Sequence, residues 1–158
     1  MSSADIYREI ILDYYRNPRN FGKLENPDIA MRDSNPLCGD EIEMHINIKD
    51  NKVSDVKFTG KGCAISQASA SMLTELIMGK DFEYVKKLAK EDILDNLGLP
   101  DLGPARIKCA LLSLKVLKYG VYSYLTEKLK DTVSADKIKE EVDAFIRSLN
   151  RAGELFKI

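Results

Sequence analysis

Three cysteines and one aspartate have the residue types and the surroundings of a metal or cluster site. Cys38 and Asp40 lie two positions apart in the stretch Asn35-Pro36-Leu37-Cys38-Gly39-Asp40. Because Gly39 allows the backbone to fold sharply, the thiol and the carboxylate can face the same point. We therefore predict that this loop, between two strands, supplies two ligands.

Cys63 and Cys109 have surroundings that stabilise a thiolate. Cys63 follows Gly60-Lys61-Gly62 at the predicted start of a helix, where unpaired amides and the helix dipole favour negative charge. Cys109 is predicted early in a later helix, behind the cations Arg106 and Lys108. All three cysteines are thus predicted at the ends of elements, where distant segments can form a site that stays partly open to solvent.

Three thiolates and one carboxylate fit either a zinc ion or an iron-sulfur cluster. Tetrahedral zinc takes four ligands, and a [2Fe-2S] cluster also takes four from protein, two per iron. A lone cysteine is more often a small buried residue than a ligand, but the glycine-flanked contexts of Cys38 and Cys63 favour ligation. The oxygen of Asp40 is expected to weaken the hold on a cluster, which suits transfer. These donors leave the choice of metal open.

The elements that position these residues follow an order of strands first and helices afterwards. The apolar spacing predicts a helix over 4–15, an edge strand near 28–32, and strands over 41–49 and 53–59, with residues 60–62 ending the extended pattern. Helices are predicted from about 65 to 77, over 82–88 and 91–97, from Pro104 to about 130, and after Ser134. This order predicts an α+β fold in which helices pack on one face of a three-stranded antiparallel sheet. We expect one domain over 1–130 and a C-terminal helical extension over 131–158.

The composition excludes several classes of protein. The chain has 158 residues, 44% of them hydrophobic, and 24 basic against 25 acidic side chains, without a basic block. Nucleic acid is therefore an improbable partner, and neither a membrane span nor a secretory start is predicted. Three cysteines fit a reducing compartment, so a cytoplasmic protein is expected. His45, the only histidine, is predicted as a solvated residue, which disfavours a Cys-His nucleophile pair, and we predict no catalytic residue.

Four motifs, in this order along the chain, give a specific resemblance over about residues 7–124. The chain resembles the IscU/NifU N-terminal/SufU family of iron-sulfur scaffold proteins. The motifs are Tyr15-Arg16-Asn17-Pro18-Arg19-Asn20-Phe21-Gly22, Asn35-Pro36-Leu37-Cys38-Gly39-Asp40, Gly60-Lys61-Gly62-Cys63-Ala64-Ile65-Ser66-Gln67-Ala68-Ser69-Ala70-Ser71-Met72, and Arg106-Ile107-Lys108-Cys109.

The resemblance implies a scaffold that receives sulfur from a cysteine desulfurase as persulfide, joins it to iron and donates the cluster to apo-proteins. Cys38, Cys63 and Cys109 match the ligand cysteines of the family. Asp40 matches an aspartate associated with cluster lability and, in zinc-bound members, with zinc ligation. The last helix lies beyond the match, and it could cover the core or pair with a second copy in a homodimer.

Three departures from the family pattern bear on the branch. Lys108 stands where the IscU branch usually has histidine, so histidine cannot be a ligand there. The short step from Cys63 to Cys109 lacks the insertion of SufU-like members, and the Leu-Pro-Pro-Val-Lys segment that engages a chaperone is absent. The branch assignment is therefore mixed. A zinc-dependent sulfurtransferase that uses the same four residues is kept as the rival function, with Arg106 or Lys108 steadying a displaced ligand, and a purely structural zinc module is disfavoured.

Overall fold

The structure is a computed structural model that describes residues 3–35, 39–98 and 104–127. Beyond residue 127 it describes six further positions, all helical and exposed: Asp136, Lys139, Glu140, Asp143, Ala144 and Arg147. The rest of the predicted C-terminal extension lies outside the described residues, so the division into 1–130 and 131–158 stays a prediction. Within the described ranges, no helix is both long and apolar enough to cross a bilayer.

Three strands form one antiparallel sheet in the order β1-β2-β3. They are β1 (Ile29–Asn35), β2 (Asp40–Lys49) and β3 (Lys52–Lys61). Asp50 and Asn51 connect β2 to β3, both with positive φ, as a tight hairpin turn with a right-handed twist requires. The alternating apolar residues of β2 lie on the inner face, where Ile42, Met44 and Ile46 are fully buried.

β3 is longer than the sequence predicted, because Gly60 does not end it. Gly60 pairs with Ile42, and Lys61 pairs with Glu41. A Cβ on Gly60 would lie 2.6 Å from the carbonyl oxygen of Glu41, so this glycine permits close packing within the sheet. The break in the extended chain comes at Gly62 instead.

Between residues 3 and 127, the described part of the chain contains five helices that follow the predicted pattern: α1 (Ser3–Arg16), α2 (Ala64–Ile77), α3 (Phe82–Lys87), α4 (Lys90–Leu97) and α5 (Pro104–Glu127). α3 begins where the Asp81 carboxylate accepts a hydrogen bond from the Tyr84 N–H at 2.9 Å, and α4 ends at Gly98 in the left-handed conformation. α2 and α5 contact the sheet and each other. Their buried side chains join the inner face in one core, which confirms the predicted α+β fold.

His45 lies on the outer face of the sheet but is buried, so the prediction of a solvated residue is wrong. The side chain is 9% exposed, and its Nδ1 accepts a hydrogen bond from the backbone N–H of Leu24 at 3.1 Å. Its Nε2 lies 3.2 Å from a carboxylate oxygen of Glu43. The alternation placed His45 on the correct face, but it could not indicate that the chain around Leu24 crosses over that face.

Candidate metal centre

Three of the four predicted donors lie together at one end of the sheet. Asp40 is the first residue of β2, Cys63 directly precedes α2, and Cys109 lies in the second turn of α5. One carboxylate oxygen and the two sulfur atoms all lie within 4.8 Å of one another. Cys38 belongs to residues 36–38 and lies outside the described residues, so its ligation stays a prediction.

The carboxylate of Asp40 fixes the position of Cys63. Asp40 is fully buried, and its Oδ1 accepts a hydrogen bond from the backbone N–H of Cys63 at 2.7 Å. Its Oδ2 lies 3.5 Å from the Cys63 sulfur. Cys63 occupies the N-cap of α2, but its side chain makes no capping hydrogen bond. One oxygen therefore holds the backbone while the other faces the thiol.

Gly62 allows this contact between the carboxylate and the following residue. Its φ is +129°, and a Cβ at this position would lie 2.0 Å from Asp40 Oδ1 and 2.8 Å from Asp40 Cα. A side chain therefore cannot occupy residue 62 while Asp40 keeps its place. The sequence predicted that glycine would break the strand here, but it did not indicate that glycine would make room for a ligand.

Asn35 is a site residue that the sequence analysis missed. It pairs with Asp40 in the sheet, and its carbonyl oxygen accepts a hydrogen bond from the Gly39 N–H at 2.9 Å. Its side-chain amide lies 4.0 Å from the sulfur of Cys109, in buried surroundings. The signal for this residue is the register of β1 on β2, which places the last residue of one strand beside the first residue of the next.

Cys109 is deeper than predicted. The sequence suggested partly solvent-exposed ends of elements for all three cysteines, but Cys109 is only 3% exposed, whereas Cys63 is exposed. The reason is that α5 packs closely on α2 at this point: the Ser69 hydroxyl donates to the carbonyl oxygen of Ala110 and lies 3.1 Å from the Ser113 hydroxyl. Of the donors that the structure describes, Cys63 is therefore the one open to solvent.

Arg106 and Lys108 lie in the first turns of α5, with Arg106 exposed and Lys108 half-buried. Within the described ranges, neither side chain forms an ion pair or a hydrogen bond with another residue. Their predicted effect on the thiolates or on a displaced ligand therefore stays a prediction.

The donor set fits a metal of the zinc or iron class. Zinc-sulfur bonds of about 2.3 Å place two tetrahedral thiolate ligands about 3.8 Å apart. The observed separations of up to 4.8 Å are therefore only about 1 Å too long, a difference that small side-chain rotations remove. A thiolate-rich set with one carboxylate suits zinc or iron rather than magnesium or calcium.

Comparison with known proteins identifies the family of the chain and agrees with the fold. Residues 6–131 match the family described as NifU-like N terminal domain. The chain belongs to this family. It is 43% identical over 132 residues to the zinc-dependent sulfurtransferase SufU of Bacillus subtilis, covering 73% of this chain and 89% of the relative. It is 35% identical over 135 residues to the iron-sulfur cluster assembly scaffold protein IscU 1 of Archaeoglobus fulgidus, covering 85% and 84%.

A solved structure of a NifU-like relative supports the same architecture. The crystal structure of a putative iron-sulfur cluster assembly scaffold protein for the SUF system, from Fervidobacterium islandicum, superposes with a TM-score of 0.65 at 36% identity. The match covers 76% of this chain and 99% of that one. The resemblance and the fold class predicted from the sequence are therefore both confirmed, and the chain is a member of the iron-sulfur cluster assembly scaffold family that includes SufU and IscU.

Proposed function

We propose that this protein is a cytoplasmic carrier on which a [2Fe-2S] cluster is assembled and from which it is passed to apo-proteins. The cluster is the cargo, and its ligands are Cys38, Asp40, Cys63 and Cys109. The observation that carries the proposal is the convergence of a carboxylate oxygen and two cysteine sulfur atoms within 4.8 Å. These donors come from segments far apart in the sequence, which a fold without a shared ligand would have no reason to assemble there.

Sulfur delivery requires a thiolate and a cysteine desulfurase partner. A thiolate of this site attacks the outer sulfur of the persulfide on the desulfurase, a new S–S bond forms, and the cysteine of the desulfurase leaves as a thiolate. The persulfide sulfur is later reduced to sulfide as it joins iron, with electrons from an external reductant. In this account the protein carries intermediates and is not an enzyme in the usual sense.

Asp40 gives the site its proposed lability. A carboxylate binds iron less tightly than a thiolate in a cluster, so the iron at this corner can exchange its protein ligand for an incoming thiolate. Cys63 is exposed and lies beside Asp40, which supports release at this corner. Asp40→Ala should therefore retain the cluster longer and transfer it more slowly. Because alanine also removes the acceptor for the Cys63 N–H, Asp40→Asn is the matched variant that keeps an acceptor there.

The test is anaerobic reconstitution followed by the visible absorption spectrum and a count of iron, sulfide and zinc on one sample. We expect about two irons and two sulfides per chain, as the [2Fe-2S] stoichiometry requires, and loss of the charge-transfer bands when the cluster moves to an apo-ferredoxin. Replacing Cys38, Cys63 or Cys109 with serine, one at a time, should prevent stable assembly. A colourless protein with one tightly held zinc ion would overturn the scaffold assignment.

A zinc-dependent sulfurtransferase is the second candidate, because the Bacillus subtilis relative with 43% identity carries that name. Zinc would be held by the same four residues, and the donor chemistry described above fits it. Zinc would supply a stabilised thiolate at neutral pH and a ligand that can be exchanged. This candidate predicts that the zinc-loaded chain accelerates a cysteine desulfurase without iron, and that Asp40→Ala lowers zinc occupancy.

A further inference from the structure

Among the described residues, the outer edge of β3 has an unpaired position, Gly60, next to the metal centre. The Phe58 N–H and C=O point away from β2 and pair with the turn after α1: the N–H donates to Asn20 O at 3.0 Å, and the C=O accepts from Gly22 N at 2.8 Å. Because backbone direction alternates along a strand, the N–H and C=O of Gly60 point to the same edge. In residues 3–35, 39–98 and 104–127, no group bonds to either of them on that side.

A cleft of about 630 Å³ lies against this edge. Gly60 and Gly62 form one wall, and the end of α1 with the turn after it forms the other. This second wall carries two exposed aromatic side chains: Tyr15 near the end of α1 is 42% exposed, and Phe21 in the turn is 52% exposed. A sheet edge with unpaired backbone groups, flanked by exposed aromatic rings, is the arrangement that receives an extended peptide as an added strand.

The charged residues of the cleft are basic. Arg16 and Lys61 line it, and none of its lining residues is acidic. Arg16 is exposed and has no ion-pair partner in the part of the chain that the structure describes. The side chain of Lys61 is 77% exposed, and its Nζ lies 3.5 Å from Glu41 Oε2. At this exposure the ammonium group can also contact an acidic side chain of a bound partner. The cleft therefore favours an acidic occupant.

We propose that an extended acidic segment of the cluster-accepting protein adds to β3 at Gly60 and lies in this cleft. Gly60 is three residues before Cys63, so at about 3.3 Å per residue the added strand ends within about 10 Å of the exposed thiol. A cysteine at the end of that segment reaches the cluster there. An acceptor without its cluster suits this mode, because its ligand segment has no metal to fold around and is available as extended chain. This inference rests on the proposed function.

Nuclear magnetic resonance of the full-length, zinc-loaded chain tests strand addition directly. The probe is a nonapeptide of alternating glutamate and valine with a C-terminal serine in place of cysteine. We expect the Gly60 amide to shift and to exchange its hydrogen more slowly when the peptide binds. A peptide with lysine in place of glutamate should bind more weakly, and one with N-methylated backbone amides should not protect Gly60. The proposal would be overturned if the peptide slowed hydrogen exchange of the β1 amides, at the other edge of the sheet, instead of Gly60. Equal binding of the N-methylated peptide would also overturn it.

Two charge-reversal variants distinguish peptide binding in the cleft from non-specific electrostatic attraction to the protein surface. Arg16→Glu should weaken peptide binding by about three- to tenfold, because one attraction is replaced by one repulsion at a partly exposed site. Arg8→Glu makes the same change at an exposed residue of α1 that does not line the cleft, and it should leave binding unchanged. Equal effects of the two variants would contradict a specific site.

The identity of the occupant has its own test. With the cluster-loaded chain and an apo-ferredoxin, the acidic peptide should compete and slow cluster transfer, and Arg16→Glu should slow transfer without reducing the iron and sulfide content. Binding at Gly60 that leaves the transfer rate unchanged would overturn the assignment to the acceptor. Concentration-dependent protection of Gly60 without any peptide would show that a second copy of the chain is the occupant. If reconstitution fails, the proposed function falls, while the Gly60 measurement still decides strand addition.

Discussion

Gly62→Ala should damage the metal centre although it replaces none of the proposed ligands. An added Cβ would lie 2.0 Å from Asp40 Oδ1, far inside van der Waals contact. Asp40 is fully buried, and its Cα would also lie 2.8 Å from the added Cβ, so we expect the backbone of residues 62 and 63 to move. That movement breaks the 2.7 Å hydrogen bond from the Cys63 N–H to Asp40 and turns the Cys63 sulfur away from Cys109.

The expected magnitude has two parts. Forcing a residue with a side chain into the glycine-favouring conformation costs about 1–3 kcal/mol. Losing the partly buried hydrogen bond from the Cys63 N–H to the Asp40 carboxylate costs about 1.5–3 kcal/mol more. We therefore expect Gly62→Ala to lower the free energy of unfolding by about 3–5 kcal/mol, a large fraction of the stability of a domain this size.

Gly79→Ala is the matched control. Gly79 also has a positive φ, +78°, but a Cβ there would meet nothing within 4 Å. This variant should lower the free energy of unfolding only by the backbone strain, about 1–2 kcal/mol, because no neighbour has to move. The difference between the two variants, about 1–4 kcal/mol, isolates the displacement of Asp40 and Cys63.

Urea unfolding of both variants, with and without zinc, gives the free energies, and competition with a chelator gives the zinc affinity. If the metal must restore the displaced ligands on binding, about 2 kcal/mol corresponds to a loss of roughly thirtyfold in affinity for Gly62→Ala. Gly79→Ala should bind zinc as the unmodified chain does. Equal stability losses in the two variants together with unchanged zinc affinity would refute the reasoning, since Gly62 would then be only a turn residue.

Three further predictions concern other parts of the molecule. In the metal-free chain, N-ethylmaleimide should modify exposed Cys63 long before buried Cys109, as mass spectrometry of a time course would show; equal rates would contradict the described burial. Ser69→Ala should lower the free energy of unfolding by about 1–2 kcal/mol, measured in urea, because the buried hydrogen bond that joins α2 to α5 is lost. The hydrogen bond from Arg19 lowers the pKa of Asp13 below its usual 3.8, so this pair stabilises the fold above that pH and its contribution disappears as the pH falls through the lowered pKa. Asp13→Asn should therefore lower the urea midpoint at pH 7 and not at a pH well below 3.8, and a loss that is equal at both would argue against the pair.

Most of the fold could be predicted because its elements carry local signals. The alternation of Ile42, Met44 and Ile46 fixed both the strand and its buried face, and Pro104 and Gly98 marked a helix start and a helix end. Asp40, Cys63 and Cys109 could also be selected as candidate donors, since their residue types and glycine neighbours are visible in the chain. Their convergence within 4.8 Å depends on how α2 and α5 pack on the sheet, which periodicity does not specify.

The sequence could not indicate contacts between distant segments, because such contacts leave no periodic or local signal in the chain. Asn35 lies beside Cys109 only because the register of β1 on β2 ends there. The burial of His45 depends on a loop that crosses the outer face of the sheet, and alternation records only the face on which a residue lies. The continuation of β3 through Gly60 likewise depends on its neighbour Glu41, because glycine breaks a strand in one setting and permits close packing in another.

Under the proposed function, the two oxygens of Asp40 connect metal binding to the backbone around Cys63. Oδ1 holds the Cys63 N–H, and Oδ2 faces the Cys63 sulfur, so a shift of the carboxylate toward or away from a metal also changes the support of the residue that precedes α2. Release of the oxygen ligand therefore need not disorder the site, because the N–H bond to the other oxygen can persist. A thiolate would offer a tighter bond to the metal but only a weak acceptor for that N–H. In the proposed carrier, the carboxylate therefore combines a weak bond to the cluster with a firm hydrogen bond to the backbone, and a carrier requires both.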